Sequence, residues 1–369
     1  MIIQSHSVDH VQAQPITTAH DHAADVRAVL LPICDVLVPP HWLRSFVANG
    51  GCTVLLASSA REYDDRRISD ERRAGETPEQ IAAFRRAVDA AAGRPVVVTV
   101  DAEPSGVQRL EHLLPPLPRR PDLEAMDDHG LHEVFTAYAS AARALGIGLV
   151  LSPVVDEIRG QNPWLAGRVM AGDLEQIARV AAAYVRAVQA AGVTATAKHF
   201  PGFSDLGANP MHAVVDLTVD RGEVEVNLAP FKALVRQGVG AVMLGPTVVA
   251  AIDPARPAAL SPRVVSLLRE DIGFTGLIIS DDLEALSTLR GRSIPQTAVD
   301  ALAAGTELLL VPGGDTLNEC ITVIEDAVTT GRLDRQALAA AAHKVRTLAG
   351  ADRDHTREDV AGIRPQQLS

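Results

Sequence analysis

Aromatic residues make up only 3% of this 369-residue chain, and Trp42, Trp164 and the seven phenylalanines are too scattered to form a stacking platform. No basic run occurs anywhere, and 34 Lys+Arg face 46 Asp+Glu, a net charge of −12. A general grip on nucleic-acid phosphates needs the opposite balance on at least one face. No segment approaches the roughly 20 uninterrupted apolar residues of a membrane-spanning helix. The opening stretch MIIQSHSVDHVQAQPITTAHDH has neither the basic start nor the apolar core of a secretion signal. These absences predict a cytoplasmic protein with no nucleic-acid or membrane partner. Cys34, Cys52 and Cys320 are odd in number and lack CxxC spacing, which reads as free thiols in the core.

What the chain has instead is alternation. A length of this order fits one large α/β barrel or two smaller domains. Short apolar, β-branched runs alternate with Ala/Leu/Arg/Glu stretches of helical period, the pattern of repeated βα units around a parallel sheet. The candidate strands are VRAVLLPI from Val26, CTVLLA from Cys52, PVVVTV from Pro95, IGLVLSP from Ile147, TATAKHF from Thr194, GAVMLG from Gly240, GLIIS from Gly276 and ELLLVP from Glu307. That number closes a barrel, so the predicted fold is α/β, a (β/α)8 TIM-type barrel over residues 25–350. Residues 1–24 and 351–369 carry little apolar periodicity and are predicted to be a loosely ordered N-terminus and a polar C-terminal tail.

The helical stretches carry their own punctuation. PEQIAAFRRAVDAAAG and PQTAVDALAAG end in glycine, and Ser261 before Pro262 reads as an N-cap with proline at the first helical position. EVEVNLAPFKALVRQG holds Pro230 as a candidate kink. The segment REYDDRRISDERRAGET, dense in both charge signs, reads as a solvated loop or short exposed helix.

Polar residues gather at the strand ends, where an eight-stranded α/β barrel places its chemistry. Asp101 follows VVVTV, Lys198 and His199 close TATAKHF, and Asp281 with Asp282 closes GLIIS. By spacing alone, a Lys-His pair at a strand end is also compatible with a structural hydrogen-bond site. Asp281 and Asp282 are also compatible with a helix N-cap and its solvated neighbour. His20, Asp21 and His22 lack the third or fourth fixed ligand a stable metal site needs.

With these residues in view, the sequence resembles glycoside hydrolase family 3, in particular its single-barrel β-N-acetylhexosaminidase branch. The KHFPG segment is matched in full by Lys198 to Gly202, and Ser280-Asp281 in GFTGLIISDDLEAL stands where the family places its nucleophile. DAEPSGVQRL keeps Asp101, Glu103, Val107, Gln108, Arg109 and Leu110, NPWLAGR keeps Asn162, Pro163 and Arg168, and Pro153, Val154 and Asp156 form a PV.D motif. The resemblance implies a glycosidase that acts on a β-linked amino sugar, in a glycan fragment or a glycosylated small metabolite, by a retaining mechanism. Asp281 would be the nucleophile. Asp101, Arg168, Lys198 and His199 would hydrogen-bond the sugar, and Asp282 would cap the following helix. No metal or organic cofactor is implied.

The match fails at the proton donor. The family places a histidine in a loop with its partner aspartate two residues earlier; here SDLGANPMHAVVD has His212, but Pro210 stands in the partner's place. Asp205 and Asp216 are the candidate substitutes, and Asn209 matches the asparagine of a GNTD-type loop. Phe203 replaces a histidine and would add an apolar wall near the sugar, and Pro104 and Ser105 replace two glycines. Trp164 either packs on a sugar face or closes the barrel mouth. Two further readings stay open: a family-like barrel that binds sugar without efficient catalysis, and a phosphorylase. A Schiff-base role for Lys198 would require an apolar pocket around it.

Overall fold

The structure is a computed structural model and describes residues 22–362, with side chains described for 22–350. Eight strands form one parallel sheet: β1 (Leu30–Cys34), β2 (Thr53–Leu56), β3 (Val97–Val100), β4 (Ile147–Val150), β5 (Thr194–Phe200), β6 (Ala241–Leu244), β7 (Leu277–Ser280) and β8 (Leu309–Val311). Their spatial order is β7-β6-β5-β4-β3-β2-β1-β8. The ring closes between β7 and β8, where Ile279 bridges Leu308, Ser280 N donates to Leu308 O at 2.9 Å, and Ser280 Oγ accepts from Leu310 N at 3.0 Å. The strands are covered on both faces, which is why most of them, β5 with its Thr194, Thr196, Lys198 and His199 excepted, read as apolar runs rather than as alternating ones.

One strand boundary differs from expectation. The run from Val26 does not start a strand: His22–Ala28 is a helix that buries Val26 and Ala28, and β1 begins at Leu30. A short apolar run has no period of its own to separate the two states. This helix also begins inside the segment expected to be loose. Residues 1–21, with His20 and Asp21, lie outside the described residues. At the other end, the helix Arg335–Gly362 carries the backbone well into the expected tail.

The helix signals hold at named positions. Thr77 and Gln80 form a reciprocal capping box ahead of Pro78–Ala92, which ends at Gly93 with φ of 65°. Ser261 Oγ accepts from Val264 N, with Pro262 in the first turn. The stretch containing Pro230 is two helices, Arg221–Asn227 and Ala229–Arg236, broken at Leu228 because proline offers no N–H to continue the first. Cys34, Cys52 and Cys320 are free and buried, and burial pushes the Cys320 thiol up to about 12. Among the described residues no helix is long and apolar enough to cross a membrane.

Of the two forms expected for the charge-dense segment after β2, the structure shows the short exposed helix, with Glu62 and Ile68 buried beneath it. The segment folds into two such helices, Ala60–Asp65 and Asp70–Gly75, that form a flap on the barrel rim. Buried Glu62 joins them: its carboxylate accepts from the backbone N–H of Ser59 and of Ser69, each at 2.9 Å, and pairs with Arg72 at 3.0 Å. Arg72 also pairs with Glu76, and Glu76 takes both terminal nitrogens of buried Arg109, at 2.7 and 2.8 Å. The mixed charges cancel in space, so a segment without apolar periodicity is still packed.

Candidate active site

The ends of all eight strands surround a cavity of about 280 Å³ on the carboxyl-terminal side of the barrel. Its wall includes Asp101 from the end of β3, Lys198 from β5, Asp281 from the end of β7, His212 from the loop after β5, and Tyr63 and Asp64 from the flap. The structure therefore brings four of the six expected site residues to one surface. Arg168 and His199 lie immediately behind it, each about 1% exposed, with Arg168 Nη2 3.5 Å from His199 Nε2.

Behind the wall is a network of buried charge whose centre is Glu103. Its carboxylate accepts from Arg168 Nε at 3.0 Å and Nη2 at 2.7 Å, and pairs with Lys198 Nζ at 2.6 Å. Lys198 also reaches Asp101 Oδ1 at 3.3 Å. Arg168 therefore pairs with Glu103 and not with Asp101 across the rim. Burial opposes the charge on Glu103, but Arg168 and Lys198 outweigh it and hold the carboxyl well below the usual carboxylate range. Asp101 moves the other way: burial raises it, the repulsion of Glu103 adds, and Lys198 and Arg168 only partly offset them. Burial lowers Arg168, yet the charge of Glu103 more than compensates and keeps it firmly a cation. Lys198 thus stands between two carboxylates, the reverse of the apolar surroundings an amine nucleophile needs.

A tight turn delivers Glu103. Ala102 bridges Gln108, Glu103 N donates to Val107 O at 2.8 Å, and Ser105 sits at φ of 72°, a left-handed position that glycine occupies more easily. A Cβ on Gly106 would stand 2.0 Å from Glu103 Oε2, so this glycine makes room for the carboxylate. His199 is set by Asp156, whose Oδ2 lies 2.8 Å from His199 Nδ1 and accepts from His199 N at 2.9 Å. The other oxygen of Asp156 accepts from Phe203 N at 2.8 Å.

Of two aromatic residues near the site, Phe203 departs from expectation and Trp164 takes the second of its two expected places. Phe203 is fully buried, edge-on to Trp164 at 5.9 Å, and forms no part of the cavity wall. Trp164 closes the rim: its ring lies 4.3 Å from that of His199 and 5.4 Å from the Arg168 guanidinium. Arg168 is covered on another side by the Tyr63 ring at 5.6 Å.

Asp281 is anchored by its backbone N–H to Leu244 O at 3.0 Å, and its Oδ1 accepts from Asp282 N at 2.8 Å. Its Oδ2 and the Nη1 of Arg168 are buried polar atoms without a hydrogen-bond partner among the described residues. Asp282 is not the cap of Leu286–Leu289; it accepts from Glu284 N at 3.0 Å in the turn before it, and Ala285 holds the cap position. Burial and the charges of Glu284, Asp281 and Asp101 push Asp282 up to about 8.

His212 is presented by a turn that Asn209 starts: Asn209 Oδ1 accepts from Met211 N, and its carbonyl accepts from His212 N and Ala213 N. Neither expected substitute carboxylate reaches it. Asp205 accepts from Gln161 N at 2.9 Å, and Asp216 pairs with Arg290 at 2.6 Å. The carboxylate beside His212 is Asp64, with Oδ1 3.5 Å from Nε2. Sequence reading missed Asp64, Tyr63 and the central place of Glu103. Only Glu103 had left a signal there, as a retained residue of the DAEPSGVQRL motif.

Comparison with known proteins gives one consistent answer. The model of the glycosyl hydrolase family 3 N terminal domain matches residues 68–348. A beta-hexosaminidase of Stenotrophomonas maltophilia (strain R551-3) is 32% identical over 277 residues, 70% of this chain and 81% of that protein. One from Nitrosomonas eutropha is 29% identical over 278 residues, 70% of this chain and 78% of that one. Among solved structures, a glycoside hydrolase family 3 beta-N-acetylglucosaminidase from Paenibacillus sp. str. FPU-7 superposes with a TM-score of 0.81 at 26% identity, over 94% of this chain. This chain spans 64% of the Paenibacillus chain. The beta-N-acetylhexosaminidase from Beutenbergia cavernae superposes with a TM-score of 0.76 at 25% identity, over 89% of this chain and 98% of that one.

Proposed function

The chain belongs to glycosyl hydrolase family 3, a glycosidase family, and on that footing we propose that it releases a β-linked N-acetylhexosamine by a retaining double displacement. Asp281 attacks the anomeric carbon while His212 gives a proton to the departing oxygen, which leaves a glycosyl ester on Asp281. His212 then takes a proton from water, the water oxygen bonds to the anomeric carbon, and the Asp281 carboxylate is released. Asp101 and Lys198, on the cavity wall, hold the sugar hydroxyls, with Arg168 and His199 supporting them from directly behind.

The observation that carries this reading is Asp281 Oδ2, an acceptor without a partner among the described residues at the end of β7, on the wall of the cavity that His212 and Lys198 also line. The Nη1 of Arg168, unpartnered among the described residues, supports it from directly behind the wall. Hydrolysis is favoured over phosphorolysis by charge. Asp35, Asp64, Asp101, Asp281 and Glu284 line the cavity with Lys198, and an incoming phosphate meets repulsion from these carboxylates that water does not.

The test is release of 4-nitrophenol from its N-acetyl-β-glucosaminide, with the glucoside for comparison, by the wild type and Asp281→Asn, with and without phosphate. Expected are turnover of the N-acetylglucosaminide, no response to phosphate, and loss of about 10³-fold or more in kcat with Asp281→Asn. Turnover that survives the substitution removes Asp281 as nucleophile, and phosphate stimulation replaces hydrolysis by phosphorolysis.

A further inference from the structure

We propose that Asp64, carried by the flap after β2, positions His212 for proton transfer, so that the acid/base pair is assembled from two loops 148 positions apart. This inference rests on the reaction proposed above. Among the described residues no carboxylate of its own loop pairs with His212: Pro210 stands two residues before it, and Asp205 and Asp216 are engaged by Gln161 N and Arg290. The flap brings one from outside. Asp64 Oδ1 lies 3.5 Å from His212 Nε2, and both residues line the cavity that holds Asp281.

The placement of Asp64 is built into the fold. Glu62, two residues earlier, is locked between the Ser59 and Ser69 backbones and Arg72, and the flap is tied to the barrel through Glu76 and Arg109. Asn209 fixes the opposite side through its bonds to the His212 turn. Two separately anchored elements thus meet at this pair. At 3.5 Å, with side chains 62% and 53% exposed, the contact is within ion-pair range but longer than a charge-assisted hydrogen bond. Substrate filling the cavity displaces water from both groups, and catalytic hydrogen bonds that are long in the free enzyme tighten in that state. With Nε2–H donating to Asp64, Nδ1 is the atom that gives and takes the proton. The other ionisable groups on the wall are Tyr63, Lys198, Asp35, Asp101, Asp281, Asp282 and Glu284.

An exposed ion pair with no function is worth little to anything measured, so the test reads chemistry rather than stability. Asp64→Ala, Asp64→Glu, His212→Ala and the Ala/Ala double variant are compared on two N-acetyl-β-glucosaminides, one with a 4-nitrophenyl and one with an alkyl leaving group. Asp64→Ala is expected to lower kcat on the alkyl glycoside about tenfold, to change the 4-nitrophenyl rate far less and to leave KM in place. Asp64→Glu is expected to recover part of the loss. In the His212→Ala background, Asp64→Ala should cost nothing more, because its effect passes through the imidazole. Equal losses on both substrates, or a full additional loss in that background, would overturn the role of Asp64 while leaving His212 in place. No wild-type turnover, or a His212→Ala loss independent of leaving group, would overturn the reaction itself and this inference with it.

Discussion

Glu103 holds Arg168 through both carboxylate oxygens, at 2.7 and 3.0 Å, with neither side chain reaching solvent. The same carboxylate takes Lys198 at 2.6 Å, so one anion from the β3 turn fixes two cations, one from the loop after β4 and one from β5. Taking such charges out of water is costly, and removing one partner strands the others.

Glu103→Gln is therefore expected to destabilise the protein by about 3–5 kcal/mol in urea unfolding. A loss below about 1 kcal/mol would mean that Arg168 and Lys198 find other acceptors.

Gly106 tests the same anchor by steric means. Its Cβ position lies 2.0 Å from Glu103 Oε2, so Gly106→Ala must displace the carboxylate, and both Tm and kcat/KM are expected to fall. Ser105→Gly, one residue earlier, relieves a φ of 72°. It is expected to leave activity intact and shift stability upward by up to about 1 kcal/mol. An active Gly106→Ala enzyme would show that Glu103 has room to move.

Asp282 gives a pH signature. Burial and the Glu284, Asp281 and Asp101 charges raise it to about 8, so the folded state keeps a proton that the unfolded chain releases near pH 4. Between those values the unfolded state binds fewer protons, and stability must fall as pH rises, levelling above about pH 8. In Asp282→Asn the urea midpoint should fall less over this window than in the wild type. Equal slopes would place Asp282 among the ionised carboxylates.

Glu62 has the opposite sign. Burial raises its carboxyl, but the hydrogen bonds from Ser69 and Ser59 and the charge of Arg72 prevail and hold it at about 2. Its contribution is present above the usual carboxylate value, about 4.3, and is lost as pH falls toward 2. Glu62→Gln at neutral pH should free the flap, with tryptic cleavage after Arg61, Arg66 and Arg67 faster by about tenfold and the barrel's urea midpoint little changed. Unchanged cleavage would mean that Arg109 and Glu76 hold the flap without it.

Much of the barrel was legible because most strands covered on both faces are written as apolar runs, and the functional end as charged residues at or just beyond the strand's close. Asp101, Lys198 and Asp281 all stand at such boundaries, and all three reach the cavity. The same logic misplaced Val26, whose apolar run belongs to a helix. Glu103 was visible as a residue, but its role depends on partners from two other βα units. Asp64 was hidden more deeply. It lies among mixed charges whose neighbours cancel only after folding, and its partner is contributed by a loop on another part of the barrel.

The seam of the barrel joins the first strand to the last: β1 pairs with β8 through Leu30 and Leu309, and β7 meets β8 at Ile279 and Leu308. While the chain is being synthesised, β1 leaves the ribosome long before β8 exists, and the growing sheet carries two open edges until the end. Unpaired edges invite pairing with other chains. The arrival of a three-residue strand, Leu309–Val311, therefore ends the period in which the nascent protein is most exposed to aggregation and most in need of a chaperone.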